Sequence, residues 1–351
     1  MQQQIRFCTS HDGTRIAYAV SGEGPPLVRA PHWLTHLEYE AQSPIWRPWL
    51  NALARGRTVV RMDERGCGLA DRDVADISFD AFVRDLEAVV DAAGLERFAL
   101  LGHSQGGSIS IAYARRHPER VSHLVLLGAY ARGRMRRAPE RREEYEAQLK
   151  LVEVGWGSDD PSYRQLFASQ FMPGGNLEAL REMSELQRRS SRPAEAVRII
   201  RSFNDIDVSE QLPAVSCPTL VLHARGDLRV PFEEGRRLAA MIPNARFVPL
   251  ESTNHIILEG EPAFEQFFAE LRAFLPGAGA RFPDLTARES EILEHIARGL
   301  DNAQIAAHLA LSEKTVRNHI TSIFDKLGVQ TRAQAIVLAR DGGLGQESRR
   351  S

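Results

Sequence analysis

The sequence predicts an α/β protein: a mostly parallel sheet with helices on both faces, interrupted by a helical insertion and followed by a small all-helical unit. Three observations predict it. Short apolar runs alternate with amphipathic helical segments from about residue 27 to residue 275, the pattern of parallel strands joined by crossover helices. A charged stretch near residues 132–206 breaks that rhythm. A Pro/Gly/Ala segment then precedes a final run whose apolar residues recur only at helical spacing. With 351 residues the chain is long enough for two domains. The expected boundaries are 1–275 for the α/β unit, with a lid at about 131–207, then a linker at 276–283 and a helical domain at 284–345.

The elements follow in order. Residues 5–9 and 15–20 alternate on either side of the turn His11-Asp12-Gly13, predicting a hairpin of two antiparallel edge strands. Further strands are expected at 27–28, 58–62, 98–101, 123–127, 219–223 and 245–250. Phe82, Leu86, Val89 and Val90 recur at helical spacing within 79–93, predicting a helix there. The insertion is helical in period around 145–152 and is punctuated by Gly155, Gly157, Pro161 and Gly174-Gly175. Its arginine run, Arg132, Arg134, Arg136, Arg137, Arg141 and Arg142, is expected to be a solvated helix face in preference to a phosphate-binding patch.

Composition bounds the function. A hydrophobic fraction of 43% and a charged fraction of 26% exclude the disordered and membrane classes. A formal charge of −2 gives no whole-chain attraction to phosphate or anionic lipid, so nucleic-acid binding must come from a local patch. The three cysteines, Cys8, Cys67 and Cys217, are odd in number and in no metal-ligand spacing, predicting reduced thiols and no metal site. The N-terminus lacks a secretory pattern and no apolar run is long enough to span a bilayer, so a cytoplasmic protein without membrane partners is expected. No cofactor is expected.

The strongest chemical signal is Gly102-His103-Ser104-Gln105-Gly106-Gly107, a G-x-S-x-G segment after an apolar strand and before a helical segment at 108–116. A serine on such a tight turn is held in strained backbone, and glycines two residues to either side remove the β-carbons that would collide. The following helix aims its free N–H groups at the serine, which places the Gln105 amide to stabilise an oxyanion. A serine needs a base and a group to orient that base. Asp227 follows one strand and His255 the next, in the order Ser, Asp, His.

With these motifs, residues from about 5 to 275 resemble the α/β-hydrolase-fold family with a lid. The resemblance implies Ser104 as nucleophile, His255 as general base and Asp227 as the acid that orients it. In that family the third strand usually ends in His-Gly, and the residue after it gives a second oxyanion-hole amide. Here the strand runs Leu27-Val28-Arg29-Ala30-Pro31-His32-Trp33-Leu34, so Trp33 is the matching donor and the glycine is absent. Asp63-Glu64-Arg65-Gly66-Cys67-Gly68 resembles the family's loop after the fourth strand, which is mainly structural. His32, His36, His103, His123 and His223 are expected in the pocket or core, because one general base suffices. Trp46, Trp49 and Trp156 are expected to be packing, and Trp33 to face the pocket.

The C-terminal run starts with Thr286 and, three residues on, Glu289, the spacing of a capping box, and Gly299 stops the helix. A second helix is expected at 302–309. After the turn Ala310-Leu311-Ser312, a third is expected at 313–327, capped by Ser312 and ended at Gly328. Val316, Ile320, Ile323, Phe324 and Leu327 form one apolar stripe, and the other face presents Lys314, Thr315, Arg317, Asn318 and Thr321. Such residues contact phosphates and base edges when a helix enters a major groove. Leu285-Thr286, Arg288-Glu289, Asn302, Ile305-Ala306, Leu311-Ser312, Thr315-Val316-Arg317, Lys326-Leu327 and Arg332 closely resemble the LuxR-type helix-turn-helix. The resemblance implies a recognition helix at 313–327 that reads double-stranded DNA, and a last helix at 332–340 that joins two copies through Ala333, Ile336, Val337 and Arg340.

Two functions are open at this point. One is a transcription regulator, dimeric on DNA, whose hydrolase-like pocket senses a small-molecule ligand and can retain Ser-Asp-His acyl hydrolysis. The other is an esterase or lactonase whose helical domain serves targeting or assembly.

Overall fold

The computed structural model describes residues 3–160, 162–275, 282, 285–309, 311–341 and 344–345. The chain divides into two units, Met1–Leu275 and Pro276–Ser351. Residues 276–281, 283 and 284 of the expected linker and domain start, Ala310 of the expected turn, and most of the tail past 342 lie outside the described residues.

The first unit is built on one eight-stranded sheet: β1 (Gln3–Thr9), β2 (Arg15–Ser21), β3 (Pro26–Arg29), β4 (Thr58–Met62), β5 (Phe98–His103), β6 (Val121–Leu127), β7 (Thr219–Ala224) and β8 (Ala245–Leu250). Their spatial order is β1-β2-β4-β3-β5-β6-β7-β8. β1 pairs with β2, and β2 with β4, in antiparallel fashion; all other pairs are parallel. The expected pair of edge strands is therefore corrected: of the two, β1 is an edge and β2 is interior, between β1 and β4. Ile16, Ala17, Tyr18 and Ala19 of β2 are all buried, as an interior strand covered on both faces requires. β5 is buried at every position, and its centrality puts Ser104 at the carboxyl edge of the sheet, where open α/β sheets place their sites.

The insertion leaves the sheet after β6 and returns before β7. Its neck is an isolated antiparallel bridge between Arg132 and Asp207, flanked by Gly133 N–H to Ile206 O at 2.7 Å and Val208 N–H to Ala131 O at 2.9 Å. Four helices form its body, Arg142–Gly155, Ser162–Ser169, Leu177–Ser190 and Pro193–Asn204. Asn176 caps the third through the Ala179 amide, and Pro193 opens the fourth at a position where its missing N–H costs nothing.

The second unit has helices Ala287–Ala297, Asn302–Leu309, Glu313–Leu327 and Arg332–Asp341. The Thr286/Glu289 capping box forms in both directions. Ser312 caps the third helix through the Thr315 amide, and Gly328 ends it in the left-handed conformation at φ 66°. Its core holds Leu285, Ile292, Leu293, Ile296, Ile305, Val316, Ile320 and Ile323.

Candidate active site and nucleic-acid interface

Ser104 has φ 55° and ψ −125°, a conformation that a residue with a β-carbon adopts only under constraint. The constraint is local packing. A β-carbon on Gly102 would lie 2.6 Å from the Gly106 oxygen, and one on Gly106 would lie 2.7 Å from the Pro31 oxygen, so both glycines are needed for the chain to turn. The helix after the elbow, Gln105–Arg116, begins three residues earlier than the sequence pattern indicates. Its free amino end therefore directly follows Ser104. Among the described residues, neither the Gln105 nor the Trp33 amide donates a hydrogen bond to protein. Trp33, Ser104 and Gln105 line the same cavity. The Trp33 backbone is held by a 2.8 Å contact between His32 Nδ1 and the Trp33 carbonyl.

His255 Nδ1 lies 2.6 Å from Asp227 Oδ2, and both residues are buried. Asp227 Oδ1 accepts from the amides of Arg229 at 2.8 Å and Val230 at 2.9 Å. Burial opposes charge on Asp227, yet the His255 and His223 rings and the Val230 amide hold its carboxyl below the usual range. His255 Nε2 is buried without a hydrogen-bond partner, and no hydrogen bond joins it to Ser104. The His103 ring stacks on His255 with centroids 5.2 Å apart; burial first, then the His255 ring, pushes its own pKa well down, which keeps this neighbour neutral. His32, His103 and His223 are buried.

The loop expected to be structural does more than pack. Arg65 is paired in the interior with Asp85 at 2.6 Å and with Asp12 at 2.8 Å. Glu64, however, accepts a 2.6 Å hydrogen bond from Gln105 Nε2, which ties the loop to the elbow. Burial and the charge of Asp85 push the Glu64 carboxyl well above its usual value.

The cavity is also lined by Tyr130, Arg134, Arg137, Phe171, Phe203 and Arg229. Here the reading of the arginine run is corrected. Arg136, Arg141 and Arg142 are exposed, but Arg134 and Arg137, three residues apart on the short helix Arg134–Arg137, share one side and line the cavity. The insertion also holds His255: the Phe171 carbonyl accepts from the amides of His255 at 2.8 Å and Ile256 at 3.1 Å. The Arg229 guanidinium sits 4.7 Å from the Phe171 ring centroid. Sequence reasoning missed Glu64, Phe171 and Arg229. Only the closeness of Arg229 to Asp227 in the chain hinted at any of them.

In the second unit, Lys314, Arg317, Asn318 and Thr321 are exposed. Thr315 is half-buried and its hydroxyl lies 2.8 Å from Ser312 Oγ within the cap, while the Thr321 hydroxyl donates to the Arg317 carbonyl at 3.2 Å. On the last helix Ala335 and Ala339 face the core, and Val337 is 59% exposed. Arg340 donates to the Ala297 carbonyl at 2.9 Å, closing the end of the first helix. Among the described residues no group of His, Cys, Asp or Glu could hold a metal ion, and no helix is long and apolar enough to cross a membrane.

Comparisons with known proteins match both units. Residues 39–262 match the alpha/beta hydrolase fold family, and residues 283–339 match the luxR family of bacterial regulatory proteins. The chain is 30% identical over 246 residues to RutD of Azorhizobium caulinodans, covering 68% of this chain and 88% of that one. It is 29% identical over 242 residues to RutD of Caulobacter sp. (strain K31), covering 67% and 87%. Both carry the name of a candidate carbamate hydrolase. Among solved structures, an esterase from Exiguobacterium antarcticum superposes with TM-score 0.67 at 24% identity, covering 77% of this chain and 99% of that one, a likeness of fold. The chain thus belongs to the α/β-hydrolase fold family, with a luxR-type DNA-binding domain fused to its hydrolase-fold domain.

Proposed function

We propose that this regulator is a cytoplasmic homodimer that senses a small acyl compound in the Ser104 cavity, and that it retains serine-hydrolase chemistry there. The observation that carries the reading is the strained Ser104 backbone beside two amides with no protein acceptor, backed by the buried Asp227–His255 pair. Strain of this kind, of order ~1–3 kcal/mol, persists only where the surroundings impose it.

In this reading His255 Nε2 takes the Ser104 proton as the oxygen attacks the acyl carbon. The Gln105 and Trp33 amides receive the developing oxyanion. Asp227 holds Nδ1–H and stabilises the imidazolium. His255 then returns the proton to the leaving alcohol or amine, and water releases the acyl group by the same path. The names of the relatives, which concern carbamate and ester hydrolysis, support an ester, lactone or carbamate. Lys314, Thr315, Arg317, Asn318 and Thr321 contact DNA, and Ala333, Val337 and the exposed part of the last helix join the two copies. Arg340 is left out of that seam because its side chain serves the first helix.

The test is intact-protein mass spectrometry after exposure to a small fluorophosphonate, with Ser104→Ala as control. Stoichiometric labelling that is lost in the variant establishes an activated nucleophile. No labelling would leave a cavity that binds without turnover.

A further inference from the structure

Five arginines from the start of the insertion and one on the Asp227 loop divide sharply by partner. Arg132 pairs with Glu234 at 3.1 Å, Arg136 with Asp205 at 2.9 Å and Arg141 with Glu144 at 2.6 Å. Arg134, Arg137 and Arg229, which line the Ser104 cavity, have no carboxylate partner among the described residues. Their direct side-chain contacts are neutral groups, and the carboxylates of Asp227 and Glu144 act on Arg229 and Arg134 only through space. Arg134 reaches Gln148 at 2.9 Å and the Tyr145 ring. Arg229 reaches Gln170 at 3.1 Å and the rings of Phe167 and Phe171. Arg137 lies against the Tyr130 ring, and its Nη1 is buried without a hydrogen bond.

Three guanidinium groups converging on one cavity repel one another, and desolvation adds to the cost. Burial first, then Arg134, pushes the Arg229 pKa down to about 9, so it is still charged at neutral pH. Guanidinium forks match the geometry of carboxylate and phosphate oxygens. A neutral ester offers them a carbonyl acceptor but no charge to balance theirs.

We propose that the Ser104 cavity takes an acyl ligand that carries a separate oxyanionic group, and that Arg134, Arg137 and Arg229 form the subsite that holds this group. This deepens the proposed sensing and hydrolase function by naming its ligand class: half-esters of dicarboxylic acids, lactones bearing a carboxylate, or their phosphorylated counterparts. If the ligand is hydrolysed, the ester bond at Ser104 is the one that breaks and the anionic group leaves unchanged.

The test uses the full chain with Ser104→Ala, so that binding is read without turnover. Calorimetric titrations compare monomethyl esters of the succinic to suberic acid series, methyl 4-phosphonobutanoate, the matching dimethyl esters and inorganic phosphate. At least one anionic ester is expected to bind at least about tenfold more tightly than its neutral counterpart. Arg137→Gln and Arg229→Gln are each expected to lower that affinity by about tenfold or more and to affect the neutral ester much less. Arg229→Lys should recover part of the loss, which separates recognition from misfolding, and Arg136→Gln on the surface should change nothing. A stronger response to the phosphonate assigns the phosphorylated class; a stronger response to the half-esters assigns the carboxylates. Equal binding of neutral and anionic esters, a preference that survives in Arg137→Gln/Arg229→Gln, inorganic phosphate binding as tightly as any ester, or no binding up to about 10 mM would each overturn the proposal. Fluorophosphonate labelling of Ser104 without an anion preference would retire the subsite and keep the hydrolase; the reverse result would keep the subsite and retire turnover.

Discussion

Two glutamates with opposite surroundings give opposite responses to pH. Glu64 is buried beside Gln105, and its carboxyl keeps its proton well above the usual value. The unfolded chain releases that proton near pH ~4.3, so unfolding releases a proton throughout the window above that value, and stability falls as pH rises through it. Glu64→Gln, which mimics the protonated form, should therefore melt progressively higher than the parent as pH goes from about 5 to about 8, as thermal denaturation would show. Glu289 behaves in reverse. The Lys326 ammonium at 2.7 Å, the Ser322 hydroxyl and the Thr286 amide hold its carboxyl down to about 2. Its contribution is present above the unfolded value and is lost as pH falls from ~4.3 toward 2. Glu289→Gln should lower the stability of the helical domain at neutral pH and flatten its acid unfolding. Ser104, Asp227 and His255 are legible in the sequence because the elbow's glycines and the strands before each residue are local signals. Glu64, Arg137 and Arg229 are not, because what gives them meaning is a partner, or a missing partner, tens of residues away.

Elements in the second unit are legible almost to the residue. The Thr286/Glu289 box, the Ser312 cap and the Gly328 stop act within one turn of the chain, so their signals survive in a single sequence. The sequence pattern starts the helix after Ser104 too late, since Gly106 and Gly107 weaken the helical signal while close packing against Pro31 and Ala129 demands them. On the recognition helix, Arg317→Ala should weaken DNA binding and reduce the slope of log affinity against log salt by about 0.9 for each phosphate that the side chain neutralises. A gel-shift series over salt would measure it. At the end of β6, Gly128 has φ 53°, and a β-carbon there would stand 3.2 Å from His255 Cε1 and 3.6 Å from Asp227 Oδ2. Gly128→Ala should cost about 1–2 kcal/mol of stability and, by displacing His255, slow fluorophosphonate labelling of Ser104 by about tenfold.

At the scale of the whole molecule, each unit closes its own hydrophobic core. A fragment of residues 1–275 is therefore expected to fold and to label at Ser104 as the full chain does. A fragment of residues 282–345 should show helical circular dichroism and bind DNA, with lower stability because so small a core supplies only about 3–5 kcal/mol. Failure of either fragment to fold would mean that the units depend on each other. The fusion itself is legible, since strand and helix periods change where the composition changes. The cavity is not, because its walls come from the elbow, the insertion and the Asp227 loop, which meet only after folding.

Phe171 serves two masters. Its ring lies under the Arg229 guanidinium and its carbonyl fixes the backbone of His255 and Ile256. On the proposed chemistry, a charge that settles on Arg229 would therefore pull on the same residue that holds His255, so discrimination among ligands would be written into the speed of the chemical step as well as into the strength of the grip.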